Sequence, residues 1–267
     1  MTTINAPAPA RFMSPVRGIR HGLTLAGRSI GKIRKNPAAL ADVTISPILF
    51  LVMFVFLFGG AVGGNWHAYL QTLVPGLMVQ NIVFASMGTG VALVTDAEKG
   101  VFDRFRSLPI ARSAPLTGAV LGDTVRYVVS LVVLIGIGSA LGFRVHTDPA
   151  AAVLAVLLMI AAGLCLCWIG VFIAMIMRNA QATQGVMVAL MMPLTFGSNV
   201  FVPSGTMPGW LQAWTRISPV SQLADTTRGL MLGGPVAGPL LAGLAWLAGI
   251  VVVFFPLAMR GYNRRAN

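Results

Sequence analysis

"TDAEKGVFDRFRSLPIARSAPLTG", residues 95–118, holds seven of the chain's 26 charged residues. The twenty or so residues on either side carry almost none. A water-facing chain spreads charge over its surface, so charge confined to one short connection implies that the flanking segments do not face water. The whole sequence agrees. Of 267 residues, 56% are hydrophobic and 10% charged, with a mean hydropathy of +0.82, whereas soluble domains average about 25% charged. Several apolar runs reach the ~18–20 residues that cross a hydrocarbon core about 30 Å thick. Backbone in lipid must bond to itself, and these runs do not alternate as barrel strands do, so an all-α integral membrane protein is expected.

Outward from residues 95–118, six transmembrane helices are predicted, at about 40–58, 70–94, 117–141, 150–177, 184–202 and 236–259. Lys and Arg in the connections divide fifteen to three, which places both termini and the 95–117 connection in the cytoplasm. The net charge of +12 then reads as topology and attraction to anionic lipid headgroups, not as nucleic-acid binding. No charged residue lies near the middle of a run. Asp42, Asp123 and Arg126 sit toward cytoplasmic ends, and Asp123 and Arg126, three apart on one helix, are expected to pair. Ion-coupled carriers keep ionisable groups at the midplane, so energy is expected to enter from outside the bilayer.

Residues 1–14 read as a disordered tail. In 15–37, Ile19, Leu23, Ala26, Ile30 and Ile33 form a narrow stripe backed by Arg and Lys, the pattern of an interfacial amphipathic helix. The same segment contains "GRSIGKI", which lacks the glycine spacing and hydroxyl of a phosphate-binding loop. Cys165 and Cys167, two apart on a helix, point away from each other and read as packing residues. His21, His67 and His146 are scattered. No metal site and no catalytic cluster is expected.

Thr95-x-x-Glu98 has the form of a capping box opening a new helix. Val101, Phe102, Phe105 and Leu108 then form an apolar stripe, and Pro109 ends it. Two phenylalanines outside the membrane need a cover, either the ends of the bundle or a groove on a partner protein.

"EKGVFDRFRSLPIARSAPLTG" resembles the E-K-G…R…P-x-x-R signature that follows the second span of ABC-2 type permeases, in the daunorubicin-resistance-type branch of drug and lipid exporters. The order of elements agrees from about Pro15 onward, so the resemblance implies an ABC-2 type transmembrane domain over 38–267. It also implies that the loop carries a coupling helix seated on an ATP-binding cassette ATPase subunit, with Glu98, Lys99, Gly100, Arg104, Arg106 and Pro109 in or beside that contact. Phe102 and Phe105 would be its apolar anchors. A second cytoplasmic contact is implied at Arg178. ATP and magnesium would bind the partner ATPase and not this chain.

Between spans five and six, Trp210 and Trp214 share one helical face, Ser218-Pro219 reads as a cap and helix start, and Asp225 and Arg228 can pair. The resemblance implies short re-entrant outer helices here, acting as an outer gate. By the same analogy spans two and five line the path, with Asn81, Thr195 and Asn199 as candidate contacts. Gly118/Gly122 and Gly138/Gly142 permit close helix packing. Six spans make too narrow a conduit, so a second copy or a homologous permease is expected. The resulting expectation is the plasma-membrane permease subunit of an exporter for amphipathic drugs or lipid-like molecules, itself no enzyme. The alternatives are a secondary multidrug carrier or a membrane assembly scaffold.

Overall fold

The computed structural model describes residues 37–100, 114–177 and 179–266. The predicted interfacial helix before Pro37, the coupling stripe with Phe102, Arg104, Phe105, Arg106 and Pro109, and Arg178 lie outside them.

Among the described residues the chain is helical, with no strand. The helices are α1 (Pro37–Gly63), α2 (Trp66–Glu98), α3 (Ala114–Gly122), α4 (Thr124–Ala140), α5 (Pro149–Ile176), α6 (Ala180–Phe196), α7 (Gly209–Ile217), α8 (Pro219–Leu232) and α9 (Ala237–Ala266). Four stretches are long and apolar enough to cross a membrane, namely Trp66–Glu98, Gly118–Ala140, Pro149–Ile176 and Ala237–Tyr262; α1 contributes the shorter apolar stretch Thr44–Gly60. The six predicted runs thus all fall on helices, although α6 is only 17 residues long.

Turn chemistry sets the boundaries. Gly64 adopts φ +72°, and Asn65 then caps α2, its Oδ1 accepting the Ala68 N–H at 2.7 Å. Pro149 occupies the first turn of α5, where its missing N–H costs nothing. Asn179 caps α6 by accepting from Gln181 N at 2.7 Å. The bundle has a charged end, where α2 finishes and α3 and α6 begin, and a far end built from the 141–148 and 197–236 connections.

Two sequence expectations are corrected. The second helix does not stop at 94 with a capping box restarting the chain; α2 runs on to Glu98. Thr95 Oγ1 donates back to the Val91 carbonyl at 2.9 Å, so the hydroxyl serves the continuing helix and caps nothing. The third run is carried by α3 and α4 together, the helical bonding running through Asp123 to give the apolar stretch Gly118–Ala140 as expected. The fifth helix ends at Phe196, short of 202, beyond an internal Pro193.

α2 is the central rod and packs against α1, α4, α5, α6 and α8. Lipid gives helices no hydrophobic reason to associate, so close contact depends on small residues that bring backbones together. Gly90 of α2 faces Gly170 of α5 so closely that a Cβ on Gly90 would run into the Gly170 carbonyl and the Met187 side chain. Gly163 likewise leaves room for the Tyr127 ring, 2.7 Å from where its Cβ would stand. Of the predicted glycine pairs, Gly138 packs on Val74. Across the other side of α5, α9 is held by edge-to-face rings, Trp168 with Phe255 at 4.7 Å and Phe172 with Phe254 at 5.5 Å.

Gly90→Val should destabilise the fold by about 1–3 kcal/mol through overpacking. Gly60→Val, where the added carbon meets nothing within 4 Å, should be close to neutral. Thermal unfolding of the two detergent-solubilised variants checks both.

Candidate functional site

At the far end, Pro219 starts α8 as expected, and Leu223, Leu230 and Met231 are buried along it. Gly233 and Gly234, at φ +94° and +130°, turn the chain out of the helix. Ser218 stands at the N-cap position, but its side chain makes no capping bond, which corrects that part of the reading. Trp210 and Trp214 are exposed on α7, at 74% and 40%, as residues meeting an interface would be.

The Asp225–Arg228 pair forms at 3.4 Å, yet pairing is the smaller part of what Arg228 does. Its Nε donates to the Thr72 carbonyl at 3.1 Å, and Nη2 donates to the carbonyls of Asn199 at 2.7 Å and Val200 at 2.9 Å. One guanidinium therefore satisfies carbonyls of α2 and of the non-helical segment after α6 while sitting on α8. Burial pulls it below its ordinary basicity, and Asp225 opposes that shift; arginine this basic stays charged at neutral pH. Gly76 makes the approach possible, since a Cβ there would strike the Val200 carbonyl. Tyr69 OH donates to the Phe201 carbonyl at 2.9 Å, fixing the same segment from a second point.

Asn199, expected on the translocation path, belongs to this network: its Nδ2 donates to Asp225 Oδ1 at 2.7 Å. Thr195 is buried, with its hydroxyl donating to the Met191 carbonyl at 2.7 Å. Asn81 is placed differently, on the wall of a cavity of about 640 Å³ framed by α1, α2, the α3–α4 junction and α6. The cavity wall also includes Thr89, Asp123 and Arg126. The expected Asp123–Arg126 contact is present at 3.3 Å. Sequence reading missed its third member, Thr89, whose hydroxyl donates to the other Asp123 oxygen from α2. A hydroxyl one helical face away from Asn81 and Ser86 was the available signal, but only packing shows which helix it meets.

At the charged end, Glu98 accepts the Ala180 N–H at 3.0 Å. It thereby caps the start of α6, where a carboxylate also suits the helix dipole. The end of α2 and the start of α6 are thus joined by a single hydrogen bond. Lys99 borders the cavity mouth, and Gly100 takes φ +68°, a turn that glycine makes without strain. Among the described residues, no three His, Cys, Asp or Glu side chains are grouped to hold a metal ion.

Arg228→Ala should destabilise the protein by about 2–3 kcal/mol, because buried carbonyls lose a charged donor. Arg228→Lys should recover only part of that, since an ammonium lacks the planar fork. Thermal shift and protease cleavage within 197–236 measure the two effects.

The profile of the ABC-2 type transporter family matches residues 21–232. The chain is 40% identical over 245 residues to the daunorubicin resistance ABC transporter permease protein DrrB1 of Streptomyces coeruleorubidus, covering 91% of this chain and 86% of that protein. It is 28% identical over 225 residues to the probable doxorubicin resistance ABC transporter permease protein DrrC of Mycobacterium tuberculosis, covering 84% and 81% of the two chains. With the doxorubicin resistance permease DrrB of the same organism, identity is 31% over 222 residues, 78% of this chain and 77% of that one.

Proposed function

The chain belongs to the ABC-2 type transporter family as a permease subunit of an ATP-binding cassette exporter, itself non-catalytic and served by a separate ATPase, and we propose that it exports amphipathic drug-like or lipid-like molecules. The observation that carries the cargo class is the near full-length likeness to a daunorubicin resistance permease. Two copies, or this chain and a homologous permease, enclose the path with six spans each. Both termini face the cytoplasm, and two ATPase subunits holding ATP and magnesium sit below.

Closure of the ATPase pair pushes on the segment that follows α2. α2 has 33 residues, about 50 Å at 1.5 Å per residue, so displacement at Glu98 is carried along one rod toward the helices that Arg228 holds. The Glu98–Ala180 bond supports the reading that α6 moves with it. Phe102 and Phe105 anchor the segment in a cleft of the ATPase, and Arg178 makes the second contact. Trp210, Trp214, Asp225 and Arg228 form the outer gate.

Co-expression with an adjacent ATPase gene should yield a complex that survives purification. In that complex Glu98→Ala should leave ATP hydrolysis in place while export of doxorubicin falls about fivefold or more, the scale of one charge-assisted hydrogen bond. Drug accumulation in cells and ATPase rate, measured together, test this; unchanged export in the variant rejects the coupling role.

A further inference from the structure

We propose that the cavity between α1, α2, the α3–α4 junction and α6 is a binding site, complete within one subunit, for an uncharged amphipathic molecule whose hydroxyl and carbonyl groups meet Gln80, Asn81 and Arg126. The inference rests on the exporter reading for its biological meaning and on the following geometry for its substance.

Among the described residues, three buried polar atoms of the cavity wall have no hydrogen-bond partner: Gln80 Oε1, Asn81 Nδ2 and Arg126 Nε. Buried polar atoms are almost always paired, and three unpaired around one space call for a ligand or water there. Together they offer one acceptor and two donors. Gln80 and Asn81 sit one turn of α2 before Phe84, and Gly88 follows a further turn on, all on the cavity wall. Gly88 is what admits the guanidinium: a Cβ there would stand 2.7 Å from Arg126 Nη1.

Charge decides the class of ligand. Among the described residues the cavity's ionisable side chains are Asp96, Lys99, Asp123 and Arg126, two of each sign, and Arg126 is already matched by Asp123. A phosphate or carboxylate headgroup at Arg126 would meet the Asp123 carboxylate beside it, so an uncharged polar head is favoured. Phe50, Phe84, Met187 and Val188 supply the apolar remainder, with rings and a polarizable thioether suited to a flat body. At about 640 Å³ the space falls within the range of about 300–1,000 Å³ that suits drug-sized molecules.

The test uses the full-length chain in lipid nanodiscs and daunomycinone, the uncharged hydroxyquinone body of daunorubicin, followed by fluorescence anisotropy. Saturable binding is expected. Asn81→Leu should weaken it about five- to tenfold while leaving the melting temperature unchanged or raised, because an unpaired polar group is replaced by an apolar one of similar size. Gly88→Ala should weaken it comparably by displacing the flexible end of Arg126. Absent saturable binding, wild-type binding in both variants, or occupation by short-chain phosphatidylglycerol in place of the probe each overturns the proposal. Binding needs no ATPase, so failure to capture an ATPase partner would count against the exporter reading and leave this result standing on its own.

Discussion

Backbone polar groups at membrane depth have only each other to bond with, and helices in lipid have no hydrophobic reason to associate. What holds this bundle together is therefore close approach of backbones, and the contact on which the rest is built is that of α2 with α5 at Gly90 and Gly170. Once those two rods touch, α2 is committed to the centre. α1, α4, α6 and α8 then take places around it, and the space left between α1, α2, the α3–α4 junction and α6 is the cavity beside Asn81 and Thr89.

Ends of helices pose the opposite problem, because their last carbonyls and first amides are unsatisfied within the helix. At one such end the protein uses a charged side chain from another helix, and a second charged side chain ties non-helical carbonyls to the bundle. Arg228 on α8 serves carbonyls of α2 and of the segment after α6, and Glu98 at the end of α2 serves the first amide of α6. The start of α6 and the segment that follows it are thus each tied to α2, the first by Glu98 and the second through Arg228. The proposed transport mechanism builds on this tie, with α6 moving as α2 moves.

Much of the architecture was legible before any coordinates. Apolar run length located the four stretches long enough to cross a membrane, Ser218-Pro219 located the start of α8, and i,i+3 spacing located both expected ion pairs. The errors fall where local pattern and tertiary context compete. Thr95-x-x-Glu98 reads as a helix start by local rules, but a helix already formed and buried along most of its length continues through such a signal, and the carboxylate finds a better partner in Ala180. For Asn199, polarity alone gave no way to name its hydrogen-bond partner, Asp225.

Composition and periodicity determined the lipid environment, the helical class and the placement of charge in the connections, because each follows from the cost of transferring residues between water and hydrocarbon. That cost is a property of the residue and needs no neighbour to be known. Which helices touch, which carbonyls Arg228 serves, that Thr89 meets Asp123, and that three polar atoms stand unpaired around one cavity were decided only by the tertiary structure. Those are facts about pairs of residues far apart in the chain, set by packing distances that no single segment contains.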